Sequence, residues 1–101
     1  MKVALYGQVY SQDVLSPVED VLDELSALEA TVVVESEFAR FLGLDASGLA
    51  QFTLEEGLDT SFDLFISFGG DGTILRAITY IRDLDIPIVG VNIGRLGVLS
   101  T

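Results

Sequence analysis

Ser67-Phe68-Gly69-Gly70-Asp71-Gly72-Thr73 is the stretch on which the fold turns. It is entered from the apolar run Leu64-Phe65-Ile66 and left through Ile74-Leu75-Arg76-Ala77-Ile78, which has helical spacing. Three glycines around one aspartate, between a buried strand and a helix, make a turn that lets backbone approach a ligand closely. The helix that follows points its first N–H groups and the positive end of its dipole at the same space. That is a place for phosphate. Asp71 then sets a carboxylate beside a phosphorylated ligand, and the repulsion between two anions has to be offset.

Working outward, Asp63 to Phe68 reads as a third strand, apolar throughout and so central. The helix after the turn carries Ile74, Leu75, Ile78 and Ile81 as its buried stripe and ends near Leu84. Asp85-Ile86-Pro87 turns into a fourth strand, Ile88-Val89-Gly90-Val91, followed by Asn92-Ile93-Gly94-Arg95-Leu96-Gly97-Val98-Leu99. Toward the N-terminus, Lys2 to Tyr6 is a first strand ending in Gly7, and Gln8 to Leu15 is a loop. Ser16-Pro17-Val18-Glu19 reads as a capping box, opening a helix to about Ala30. Its apolar face is Val18, Val21, Leu22, Leu25 and Leu28, and Glu19, Asp20, Asp23 and Glu24 face water. Thr31-Val32-Val33-Val34 is a β-branched second strand. Glu37 to Leu42 is a short helix, with Ser36 as cap and Gly43 as terminator. From Leu44 to Ser61 the pattern weakens to loop signals with room for one short helical piece, a flap or a long connection.

Strands alternating with helices predict an α/β domain: a three-layer, Rossmann-like or flavodoxin-like arrangement around a mainly parallel sheet. Ligands in such sheets sit beyond the carboxyl ends of the strands. Both glycine-rich turns, after the third and fourth strands, are expected at that edge.

Composition narrows the chemistry. The 101 residues are half hydrophobic, enough for one compact core. No window is long and apolar enough for a membrane span, and the N-terminal apolar run is too short for a signal peptide. Without cysteine or histidine there are no disulfides, thiolate metal sites or imidazole bases. A cytoplasmic location is the expectation. The formal charge of −11, with only Lys2, Arg40, Arg76, Arg82 and Arg95 as bases, repels nucleic acid and anionic membranes. An anionic ligand must be met locally, by backbone N–H groups, a metal ion or bases from elsewhere.

Two common motifs do not fit. A P-loop requires a lysine before the Ser/Thr, and Gly72-Thr73 has none between them. The fingerprint G-x-G-x-x-G is half met, because Leu75 stands where its third glycine belongs. Hydride transfer is therefore a poor reading.

Gly69-Gly70-Asp71-Gly72-Thr73 after a strand resembles the signature of the superfamily holding NAD kinases, diacylglycerol and sphingosine kinases and phosphofructokinases. Gly90-Val91-Asn92-Ile93-Gly94-Arg95-Leu96-Gly97-Val98-Leu99 resembles the G-x-N-x-G-x-L-G-F-L segment of NAD kinases, with Val98 at the family's phenylalanine. The resemblance implies transfer of a phosphoryl group from ATP or polyphosphate to the 2′-hydroxyl of the adenosine ribose of NAD. It also implies a divalent metal, magnesium being the expected ion, and a homo-oligomer at full length. No residue of this chain is assigned to the metal. Asp71 would be the catalytic base that orients the hydroxyl and accepts its proton; its alternative is a helix N-cap. Gly69, Gly70, Gly72, Thr73, Asn92, Gly94 and Arg95 would line the ligand. Thr73 is equally a helix-start residue, Asn92 a brace for its turn, and Arg95 an exposed base paired with a nearby acid. Tyr80 and Phe68 read as packing.

By the same resemblance, residues 1–101 are the N-terminal α/β domain of an NAD kinase. The family's second, largely β domain, with its Asn-Glu and T-G-S-T-A-Y-like motifs, is absent from this chain, so the fragment alone is expected to be inactive. The alternatives are a lipid or sphingoid-base kinase of the same superfamily and a non-catalytic nucleotide-binding module.

Overall fold

In the computed structural model, which describes residues 1–8, 12–44, 47–53 and 55–93, five strands form one sheet in which every pairing is parallel. In chain order the elements are β1 (Lys2–Gly7), α1 (Leu15–Ala27), β2 (Thr31–Glu35), α2 (Ser36–Leu42), β3 (Ala50–Phe52), β4 (Leu64–Gly69), α3 (Asp71–Ile81) and β5 (Ile88–Asn92). The strand order is β3-β2-β1-β4-β5. The chain builds outward from β1 on one side, then crosses back to lay β4 against β1's other edge. In register, Val3 faces Leu64 and Gly7 faces Phe68, while Phe65 faces Ile88 and Gly69 faces Asn92.

Both faces of the sheet are covered, which is why its strands read as apolar runs rather than alternating ones. Side chains of alternate residues on a strand go to opposite faces. Val3, Leu5, Val34, Ile66 and Phe68 pack with Val18 and Leu25 of α1 and Phe38 of α2. Ala4, Tyr6, Val33, Phe52 and Phe65 pack with Ala77, Tyr80 and Ile81 of α3. The second layer is aromatic: Tyr6, Phe52 and Phe65 all lie within ring-contact range of Tyr80, with centroids 5.0, 5.6 and 6.3 Å away. Phe68 stacks at 5.7 Å on Phe38 in the first layer. Tyr80 and Phe68 are packing residues, as expected.

Five local expectations give way to other physics. The capping box at Ser16 does not form. A 3-10 turn, Gln12–Val14, runs straight into α1, so the N-cap is Val14, with no side-chain cap bond among the described residues. Val14 is fully buried, and burying it sets the entry of the helix in place of a polar cap. Pro17 falls in the first turn, where no backbone donor is required of it.

α2 is capped by Glu35 rather than Ser36. The Glu35 carboxylate accepts from the amides of Phe38 at 3.0 Å and Glu37 at 3.1 Å. Ser36 instead donates its hydroxyl to the Phe52 carbonyl, tying α2 to β3. Within residues 44–61 the regular piece is the strand β3, not a helix.

The buried stripe of α3 is Thr73, Ala77, Tyr80 and Ile81, while Leu75 and Ile78 are exposed. The helices also stop early: α1 ends at Ala27 and α3 at Ile81. α1 ends with Ala30 N–H bonded to the Leu25 carbonyl and Glu29 N–H to the Ser26 carbonyl, the paired bonds of a Schellman motif.

Candidate functional site at the carboxyl edge of the sheet

Because every strand runs the same way, Gly7, Glu35, Gly69 and Asn92 end their strands on one edge. The connections diverge between β1 and β4. β1 leads through α1 on one face, and β4 leads through α3 on the other. Splayed connections open a crevice above the two strand ends, the usual ligand position in open α/β sheets. Gly7 forms one lip. A side chain there would start 2.5 Å from the Phe38 ring, so the end of β1 runs close against α2.

The other lip is the glycine turn. Gly69 is buried at φ +152°, in backbone space that favours glycine, and the Thr73 side chain sits where its Cβ would be. Gly70 is the cap residue of α3, extended and exposed. The amides of Thr73 and Ile74 both bond its carbonyl, at 3.1 and 3.3 Å. The amides of Asp71 and Gly72 have no acceptor among the described residues, as helix first-turn donors do not. Two free N–H groups and the positive end of an eleven-residue helix therefore open above the end of β4.

Asp71 is the first residue of α3 and its side chain is exposed. It is not the helix cap: Gly70 holds that position, so capping does not account for a carboxylate here. Gly72 is exposed beside it. Thr73 is buried, packed inward against Gly69 rather than presented to the crevice. Its place matches the helix-start reading more closely than that of a free hydroxyl donor.

Asn92 is exposed at the end of β5, opposite Gly69 in register, and the Ile93 amide bonds the Gly69 carbonyl at 3.3 Å. The strand pairing thus brings Asn92 next to the glycine turn. Gly94 and Arg95 lie outside the described residues, as does the segment from Leu96 to Leu99.

Lys2, Arg82 and Arg40 do not gather at this edge, and Arg76 lies five residues into α3. Lys2 is at the opposite end of β1, bonded to Ser61 and set over the Phe62 ring. Arg82 caps the far end of α3, and Arg40 pairs with Glu37 on α2. Among the described residues no three His, Cys, Asp or Glu side chains group to hold a metal. An anion at this edge would be met by backbone amides first. Gly7 is legible in the sequence as the glycine that closes the first strand, whereas Glu35 gives no signal because the adjacent serine is the stronger cap former.

Comparison with known proteins matches residues 10–101 to the ATP-NAD kinase N-terminal domain family. The chain is 43% identical to the NAD kinase of Christiangramia forsetii, with all of the chain and 35% of that protein aligned. It is 40% identical to the NAD kinase of Flavobacterium psychrophilum, over all of the chain and 35% of that protein. Against the NAD kinase of Bacteroides fragilis it is 36% identical, over 99% of the chain and 35% of that protein. The chain spans about a third of the length of the curated relatives it matches.

Proposed function

The chain belongs to the ATP-NAD kinase N-terminal domain family, and from that premise we propose that it is the first domain of a longer NAD kinase. In the intact protein the reaction is transfer of a phosphoryl group to the 2′-hydroxyl of the adenosine ribose of NAD, giving NADP. ATP is the proposed donor, with polyphosphate as a second candidate, in the cytoplasm and in a homo-oligomer. Nucleic acid and membrane are not partners of so acidic a surface. A lipid or sphingoid-base kinase and a non-catalytic module are disfavoured by curated relatives named NAD kinase.

The observation that carries the reading is Asp71. It stands exposed at the first position of α3, at the carboxyl edge, with the cap position taken by Gly70. Phosphoryl transfer asks for positioning and charge stabilisation more than for covalent chemistry. The free amides of Asp71 and Gly72 hold donor or acceptor phosphate oxygens without side-chain bulk. Gly69 and Gly70 let the ligand come close, Asn92 stands beside the turn, and Gly94 and Arg95 are proposed as further ligand contacts. Asp71 orients the ribose hydroxyl and accepts its proton late, as the new P–O bond forms, a contribution of about 10²–10⁴-fold.

A divalent metal at this site would be carried mainly by phosphate oxygens, as magnesium usually is, with Asp71 as the carboxylate beside it among the described residues. Such an ion supplies charge neutralisation between Asp71 and the phosphates.

The test is Asp71→Asn in the full-length protein, assayed for NADP formation from NAD with ATP and magnesium. Turnover should fall by about 10²–10⁴-fold while the melting temperature stays put, because no cap is lost. Undiminished turnover would sink the assignment. The 1–101 fragment, with the rest of the pocket missing, should form no NADP.

A further inference from the structure

Among the described residues the sheet has two open edges, and they are not alike. β3 offers only Ala50–Phe52. β5 offers five residues, Ile88–Asn92, with neither charge nor proline among them. In a parallel strand, alternate residues turn their peptide groups to the same neighbour. The Pro87 carbonyl and the Ile93 amide both bond β4. The peptide groups of Ile88, Gly90 and Asn92 therefore face outward. Long, uncharged, unpaired edges are what proteins ordinarily avoid leaving open.

α3 overhangs this edge. The Ile74 side chain reaches to 2.8 Å of where a Gly90 Cβ would be, so the helix passes directly over β5. Round the helix from Ile74, away from the sheet, come Ile78 and Leu75, 48% and 67% exposed. Below the edge, on the sheet's other face, Val89 is 46% exposed. Aliphatic side chains thus roof and floor a row of unpaired backbone groups.

We propose that β5 is an internal strand of the intact protein, paired along its open edge with an apolar β-strand supplied by the polypeptide that follows this domain. This rests on the reading of the chain as the first domain of a longer protein. The curated relatives are about three times as long as the aligned stretch, and the matched family is an N-terminal domain. The remaining polypeptide therefore follows the domain, and the described chain leaves at Ile93, from the end of β5 itself. Main-chain pairing supplies the attachment, and the Leu75–Ile78 roof with the Val89 floor selects a strand apolar on both faces. A second copy is the poorer occupant, since each brings a charge of −11.

Hydrogen exchange on the full-length protein tests this at the Ile88, Gly90 and Asn92 amides. They should exchange at least about 100-fold more slowly than open amides, at every protein concentration. Leu75→Glu with Ile78→Glu should lower the full-length melting temperature by about 5 °C or more, while Leu28→Glu, at an exposed apolar site on α1, should leave it unchanged. Fast exchange at the three amides overturns the proposal. So does protection that disappears on dilution to monomer, which would make the occupant a second copy, or a double variant that melts like the parent. Assaying NADP formation on the same protein separates the two readings: protected amides without kinase activity leave the strand pairing standing and remove only the activity.

Discussion

The Thr73 side chain fills the space in which a side chain on Gly69 would begin. A Cβ on Gly69 would lie 2.9 Å from the Thr73 Cβ and meet its hydroxyl. The turn at the end of β4 and the first turn of α3 are therefore fitted to one another, next to the Asp71 and Gly72 amides that have no acceptor among the described residues.

Gly69→Ala should damage the full-length protein twice over. It forces a side chain into backbone at φ +152°, a strain of about 1–3 kcal/mol, and it collides with Thr73. NADP formation and the denaturation midpoint should both fall. Adding Thr73→Ala should recover part of the midpoint, because it removes the collision but not the strain. Strictly additive losses would show that the two residues do not couple.

Glu35→Ala should cost about 2 kcal/mol. It removes a cap that meets two α2 amides and leaves those donors unpaired beside a buried site. Glu35→Gln, with one acceptor oxygen left, should fall between. Chemical denaturation of the full-length protein checks the order. Ser36→Ala should cost less than Glu35→Ala, the reverse of what a serine cap would give.

Glu29→Gly should stabilise. Glu29 sits at φ 56° in the position after the α1 cap where glycine is the usual occupant. Relieving that conformation is worth about 1 kcal/mol, offset in part by the greater freedom of glycine in the unfolded chain. A lower midpoint in the variant would refute it.

Asp59 gives a pH dependence. Hydrogen bonds from the Ser61 hydroxyl and amide hold its carboxyl below the ordinary value of 3.8. A depressed folded-state pKa means the contribution is present above that ordinary value and is lost as pH falls through the lower one. NMR titration should find Asp59 the later to protonate on acidification than an ordinary aspartate, and Ser61→Ala should move it back up.

The α/β class, the four longer strands and the position of the glycine turn were legible because each rests on a strong local signal: β-branched runs, helical spacing and glycines next to a buried strand. Asp71 and Asn92 were placed at one edge by the same reasoning. Legibility failed where tertiary packing overrode local preference. Burial of Val14 displaced the Ser16 cap, and Glu35 outreached Ser36. In α3, Ile74, Leu75, Ile78 and Ile81 are the more hydrophobic set, yet only Ile81 of them joins Ala77 and the Tyr80 ring in the aromatic layer, while Leu75 and Ile78 turn outward. β3 was invisible because three residues, one of them Gln51, carry too little pattern to count as a strand.

The strand order sets a timetable for synthesis. β1 emerges first, yet its partner on one side, β4, follows about sixty residues later. Until Leu64 to Gly69 has left the ribosome, Val3, Leu5 and Tyr6 have only half of their neighbours. Long-separated pairings of this kind slow folding. The nascent chain must shelter a half-paired, greasy strand until β4 follows, and the crevice above Gly7 and Gly69 comes into being only at the moment that wait ends.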